Sequence, residues 1–163
     1  MRAKVDCKEL KDFKKRLEKV KKELPNKLEE MAVSEGVKFV KEATKIVDRE
    51  KIYASRNYKR SFHSDDKAKV EGGKITVGVG NTANYASFVE KGFRSHFVPG
   101  YWQGNVFVYD RNAKGGMYVG PYKGVFEGRW VVKRALHTVK LTQNARLKRK
   151  IEEYLKQELN GDE

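Results

Sequence analysis

The 163 residues suffice for one domain with a real core, and 36% charged against 39% hydrophobic residues describe a heavily solvated chain. No apolar run approaches the roughly 20 residues that a bilayer crossing needs, and the start, Met1-Arg2-Ala3-Lys4-Val5-Asp6, lacks the apolar stretch of a secretory signal, so the sequence predicts manufacture in a cytoplasm. The net charge of +14 is spread along the chain, a diffuse field that favours any polyanion without marking a reading head, and the single cysteine, Cys7, excludes an internal disulfide.

Asp6 to Glu9 has the spacing of a capping box. Behind it Leu10, Phe13, Leu17, Val20 and Leu24 recur at three- and four-residue steps, one apolar stripe on a helix otherwise covered by Lys and Glu. Pro25 interrupts the pattern as a helix start does, which predicts a second helix over about 25–47. Leu28, Met31, Ala32, Phe39, Val40, Ala43, Ile46 and Val47 form its inner face, with Gly36 on it to admit a close neighbour.

The pattern changes after Tyr53. Lys69 to Ile75 reads as a hairpin turning at Gly72-Gly73. The next strand alternates, with Ile75, Val77 and Val79 towards the helix and the small Thr76, Gly78 and Gly80 on the other side. Tyr85 to Gly92 fits either a short helix or a bulged strand. From Phe93 to Gly124 the chain is rich in glycine and aromatics, and Val106–Tyr109 and Met117–Val119 read as two strands of a hairpin joined by 111–116. A helix is predicted from Glu127 to Val139, carrying Trp130, Val131, Ala135, Leu136 and Val139, and a last one from Thr142 to Leu159. Helices and strands are segregated, so the fold class is α+β: an antiparallel sheet packed against a long N-terminal helix, with C-terminal helices. One domain over 1–163 is expected, with N-terminal helices in 1–49, sheet and aromatic hairpin loop in 50–125, and C-terminal helices in 126–163.

Catalytic signatures are absent from the pattern. His63, His96 and His137 stand apart, without the spacing of a zinc site, and there is no nucleophile elbow, P-loop or dinucleotide fingerprint. Asp65 and Asp66 are adjacent, so on a strand they point to opposite faces; they read as a charged edge that discourages wrong pairing. No enzyme activity, metal or cofactor is expected. The runs at Lys14-Lys15-Arg16, Lys21-Lys22 and Lys148-Arg149-Lys150 lie beside compensating acids and read as solvated helix faces. Arg56, Lys59 and Arg60 sit in a segment poor in acids and could meet phosphate or an acidic partner, which keeps a basic nucleic-acid-binding domain as the alternative function. Phe97, Tyr101, Trp102, Phe107, Tyr109 and Tyr118 crowd one glycine-rich segment, where covering the core and forming a protein interface are equally good accounts.

Four pieces in order carry a family resemblance: Asn57-Tyr58-Lys59-Arg60-Ser61-Phe62; Ile75-Thr76-Val77-Gly78-Val79-Gly80; Tyr85-Ala86-Ser87-Phe88-Val89-Glu90-Lys91-Gly92, followed by Arg94 and His96; and the aromatic segment from Phe97 to Met117. The third, a Tyr-Ala-x-x-Val-Glu-x-Gly motif ending in a basic residue or His, is the most specific. Together they resemble the neck or tail-completion proteins of tailed phages and prophages, the gp-ten-like family of lambdoid phages, in its Gram-positive version. Ile52 to Asn57 departs from the Val-Asp-Thr-Gly stretch many members have there. The resemblance implies a structural virion protein at the head–tail junction, assembled in the host bacterial cytoplasm. It also implies a homo-oligomeric ring, a hexamer, flanked by connector or head-closure and tail-terminator or tail-tube proteins, with DNA passing and no membrane contact. Mapped onto the motif, it implies interaction roles for Tyr85, Phe88, Glu90, Arg94 and His96.

Overall fold

The computed structural model describes residues 8–52, 56–121 and 124–160. The capping box at Asp6, together with Cys7, Tyr53 and Tyr122, lies outside them. Helix α1 is one continuous element, Lys8–Arg49, of 42 residues, about 63 Å long at 1.5 Å per residue. Pro25, expected to separate two helices, lies inside it. Proline removes one backbone bond and crowds the carbonyl a turn earlier. Here the apolar stripe continues through it from Val20 to Leu28 and Phe39, and packing on both sides overrides the local preference.

The C-terminal pair of expected helices is likewise one, α4, Val131–Asn160; neither Gly nor Pro stands near residues 139–142 to break it. Between the long helices come α2 (Arg56–Arg60), β1 (Phe62–Ser64), β2 (Lys69–Glu71), β3 (Lys74–Thr76), β4 (Val79–Asn81), α3 (Ala86–Lys91), β5 (Gly92–Arg94), β6 (His96–Gln103), β7 (Val106–Tyr109), β8 (Gly116–Val119) and β9 (Val125–Glu127). Every pairing is antiparallel, and the strands form small sheets, β1 with β4, β2 with β3, β5 with β9, and β6 between β7 and β8. The architecture is α+β.

The hairpin at Gly72-Gly73 forms as its sequence dictates, both glycines at positive φ. The single alternating strand does not. It breaks at Val77-Gly78 into β3 and β4, which pair with different partners. Asp65 fixes the break: its N–H donates to Gly78 O (2.9 Å) and its carboxylate accepts from Gly78 N (3.0 Å). Asp65 is therefore a backbone acceptor, not the charged strand guard expected of it. Ile75, Val77 and Val79 do face α1, and a Cβ at Gly36 would collide with Ser64 and meet Val77 Cγ1 at 3.0 Å.

The core joins Phe39, Ala43, Ile46 and Val47 of α1 to Tyr58, Phe62, Ala83 and to Val131, Ala135 and Val139 of α4. The Phe62 ring stands edge-on to Tyr58 (5.1 Å) and Phe39 (6.3 Å). Helices α1 and α4 run antiparallel, stitched by Glu50–Arg134, Glu35–Arg146, Lys150 to Ser34 (2.6 Å) and Lys19–Glu158 (2.7 Å). Near the far end Val20 and Tyr154 are buried. Arg16 Nη1 reaches Leu159 O (2.8 Å), next to the last residue of α4. Among the described residues α1 runs on upstream of Arg16 past the end of α4, and Leu10 and Phe13 are exposed.

Candidate functional site

The segment Tyr85 to Gly92 is a short helix followed by a left-handed glycine, which settles the choice between helix and bulged strand. Its residues build a clasp on the start of α4. Both Glu90 carboxylate oxygens accept backbone N–H bonds, from Val132 and Lys133 at 2.9 Å each, satisfying donors that a helix N-terminus otherwise leaves orphaned. The Val89 and Glu90 carbonyls accept from Arg129 (2.8 Å) and Trp130 (3.1 Å). Gly92, at φ +77°, lets the chain turn from α3 into β5, where a Cβ would strike the backbone of Phe126 and of Gly128. Glu90 thus spends its charge inside the chain.

Beside the clasp opens a cavity of about 520 Å³. Tyr85, Phe88, Phe93, Val119 and Phe126 make it apolar, with His96, Glu50, Lys51 and Arg129 also on its lining. Phe93 stacks on Phe126 (5.5 Å) and meets Phe88 edge-on (5.9 Å). His96 Nδ1 donates to Arg94 O at 3.2 Å. The Arg134 guanidinium bonded to Glu50 holds that carboxyl below its ordinary pKa. The chemistry that this lining offers most of is burial of apolar side chains.

The aromatic segment is a separate structure. Val106–Tyr109 and Gly116–Val119 do not pair with each other as expected; each pairs with β6, which lies between them. The register places Phe97, Tyr101, Val106 and Tyr118 on one face, and Trp102, Phe107, Tyr109 and Met117 on the other. Phe97 meets Tyr118 at 5.4 Å, and Trp102 meets Phe107 at 5.4 Å. Phe97, Tyr101, Trp102, Val106, Tyr109 and Tyr118 are all exposed, on both faces. None of the three strands contains Lys, Arg, Asp or Glu. Soluble antiparallel sheets normally turn one face to water and guard their edges with charge. This arm does neither.

Arg56, Lys59 and Arg60 share α2 and are exposed, with Tyr58 turned into the core between them. Lys59 is held by both Asp48 oxygens (2.7 Å), leaving Arg56 and Arg60 as the outward cations of that cluster. The candidates thus fall into the clasp and cavity, the arm and the α2 cluster, with the Arg94 side chain exposed on β5 and off the cavity lining. Sequence reasoning missed Trp130, which it placed inside a helix. The residue instead precedes α4 at φ +51°, with 43% of its surface exposed and Lys133 Nζ 5.1 Å from its ring. A bulky side chain in the left-handed region costs about 1–3 kcal/mol. Gly128 just ahead was the available signal of irregular backbone.

A family model described as "Bacteriophage HK97-gp10, putative tail-component" matches residues 11–92, half of the chain, from within α1 to the glycine that closes the clasp. No curated protein and no solved structure matches.

Proposed function

From the premise that this chain belongs to the HK97-gp10-like family of bacteriophage tail components, we propose that it is a structural virion protein of the head–tail junction of a phage or prophage, completing or joining the tail through subunit–subunit contacts. The arm carries this reading. An uncharged three-stranded sheet with aromatics on both faces and two unguarded edges is suited to strand addition or docking on a neighbour. Contacts between two unlike surfaces repeat head-to-tail, and form a ring where the rotation between copies closes. The cavity beside the clasp offers a second, unlike apolar surface. Connector or head-closure proteins on one side and tail-terminator or tail-tube proteins on the other are the expected neighbours.

The test is assembly. Replacing Tyr101 and Tyr109 together by Ser leaves the thermal midpoint within a few degrees, because both side chains are already exposed. It also abolishes rings seen by electron microscopy and yields particles without joined tails. Unchanged particles from that variant would refute the arm's role. The alternative, a basic nucleic-acid-binding domain, rests on Arg56 and Arg60. It requires duplex affinity that falls steeply with salt and drops further in an Arg56→Ala, Arg60→Ala variant.

A further inference from the structure

A furrow lies between the C-terminal half of α1 and the start of α4, on a different part of the surface from the arm. Ile46 and Trp130 supply its apolar contacts, and Arg49, Lys133, Arg134 and His137 its polar wall. Lys45 on the rim is paired with Glu42 (2.8 Å), and Arg134 with Glu50. Arg49 has only a 3.5 Å contact with that same Glu50, and Lys133 is turned over the Trp130 ring. Four cations therefore meet Glu42 and Glu50, with the Glu90 carboxylate also acting on Arg134 from the start of α4, and the remaining positive charge stands beside a half-exposed indole.

Among the described residues the contact given for that indole is Lys133 Nζ over its ring. Glycine or asparagine at position 130 would relieve the backbone, and Trp130 stands outside the core cluster that its neighbour Val131 joins. Trp and Arg are the side chains that dominate binding energy where a partner desolvates them. We propose that this furrow docks an acidic segment of a partner protein, its carboxylates on Arg49 and Lys133 and an apolar side chain against Trp130. A second copy is a poor occupant, because the chain carries +14. Duplex DNA is disfavoured too: phosphate-driven binding draws on several free cations, whereas this furrow already pairs Lys45 and Arg134 with its own glutamates. The inference does not rest on the arm's docking.

The experiment titrates the full chain with a fluorescein-labelled peptide alternating glutamate and leucine, a lysine–leucine control and a short DNA duplex, following anisotropy. Saturable binding of the glutamate peptide alone is expected, weakened about tenfold or more by Arg49→Glu with Lys133→Glu. Trp130→Gly weakens it likewise while the thermal midpoint holds or rises. Duplex binding tighter than peptide binding would overturn the proposal, as would peptide affinity untouched by Trp130→Gly. A Trp130→Gly chain that loses several degrees of thermal midpoint would make the indole a structural plug and overturn it as well. So would self-association that these substitutions abolish.

Discussion

Lys51 occupies the left-handed position of a Schellman turn: at φ 49° it ends α1, with Ile52 N bonded to Val47 O (3.0 Å) and Lys51 N to Asp48 O (3.3 Å). Glycine usually holds that position. Lys51→Gly should raise stability by about 0.5–1 kcal/mol, read as a shifted urea midpoint at constant slope. Tyr58 makes the opposite kind of prediction. Its ring is fully buried and its hydroxyl lacks a hydrogen-bond partner among the described residues. Burial first, then the nearby Glu90 charge and Tyr85, push its pKa from an ordinary 10.0 to about 12. Between those values the unfolded chain has released this proton and the folded chain has kept it. Stability is therefore whole below pH 10 and falls as pH rises towards 12. Tyr58→Phe should flatten that alkaline loss in melts taken across the window, with no penalty at neutral pH.

The two long helices are held by unequal means, and substitutions separate them. Glu35 is buried and its carboxylate pairs with Arg146, itself mostly covered. Glu35→Ala strands that cation and should cost about 3 kcal/mol or more in denaturant unfolding, whereas Met at both positions should come within about 1 kcal/mol of the parent. Towards the overhang, Val20→Ala removes buried methyls for about 2 kcal/mol. Leu10→Ser with Phe13→Ser should cost less than about 1 kcal/mol, because both side chains are already in water. Those expectations also mark where the sequence was legible. Periodicity identified the helical stretches, the Gly72-Gly73 turn and the faces of Ile75, Val77 and Val79, since local spacing sets them. It could not join the helices across Pro25, where long-range packing decides. Nor could it place β6 between β7 and β8, because register depends on partners far along the chain. The motif at Tyr85 to Gly92 was visible as a pattern, yet the work of Glu90 was hidden, because its partners lie 42 and 43 residues away.

At the scale of the whole molecule, charge and apolar surface act in opposite senses. Copies that each carry +14 repel. Raising ionic strength to about 0.15 M shortens the screening length to about 8 Å. Association of copies through the uncharged arm should therefore strengthen with salt in sedimentation velocity, while docking of an acidic segment in the furrow weakens; both trends running the same way would contradict this division of surfaces. The clasp has a mechanical consequence of its own. By covalent chain, Glu90 and Val132 are separated by the arm and its strands; by hydrogen bond they are in contact. Tension on the arm is thus delivered to the helix pair at its root, across a few short polar links beside Gly92 and Gly128.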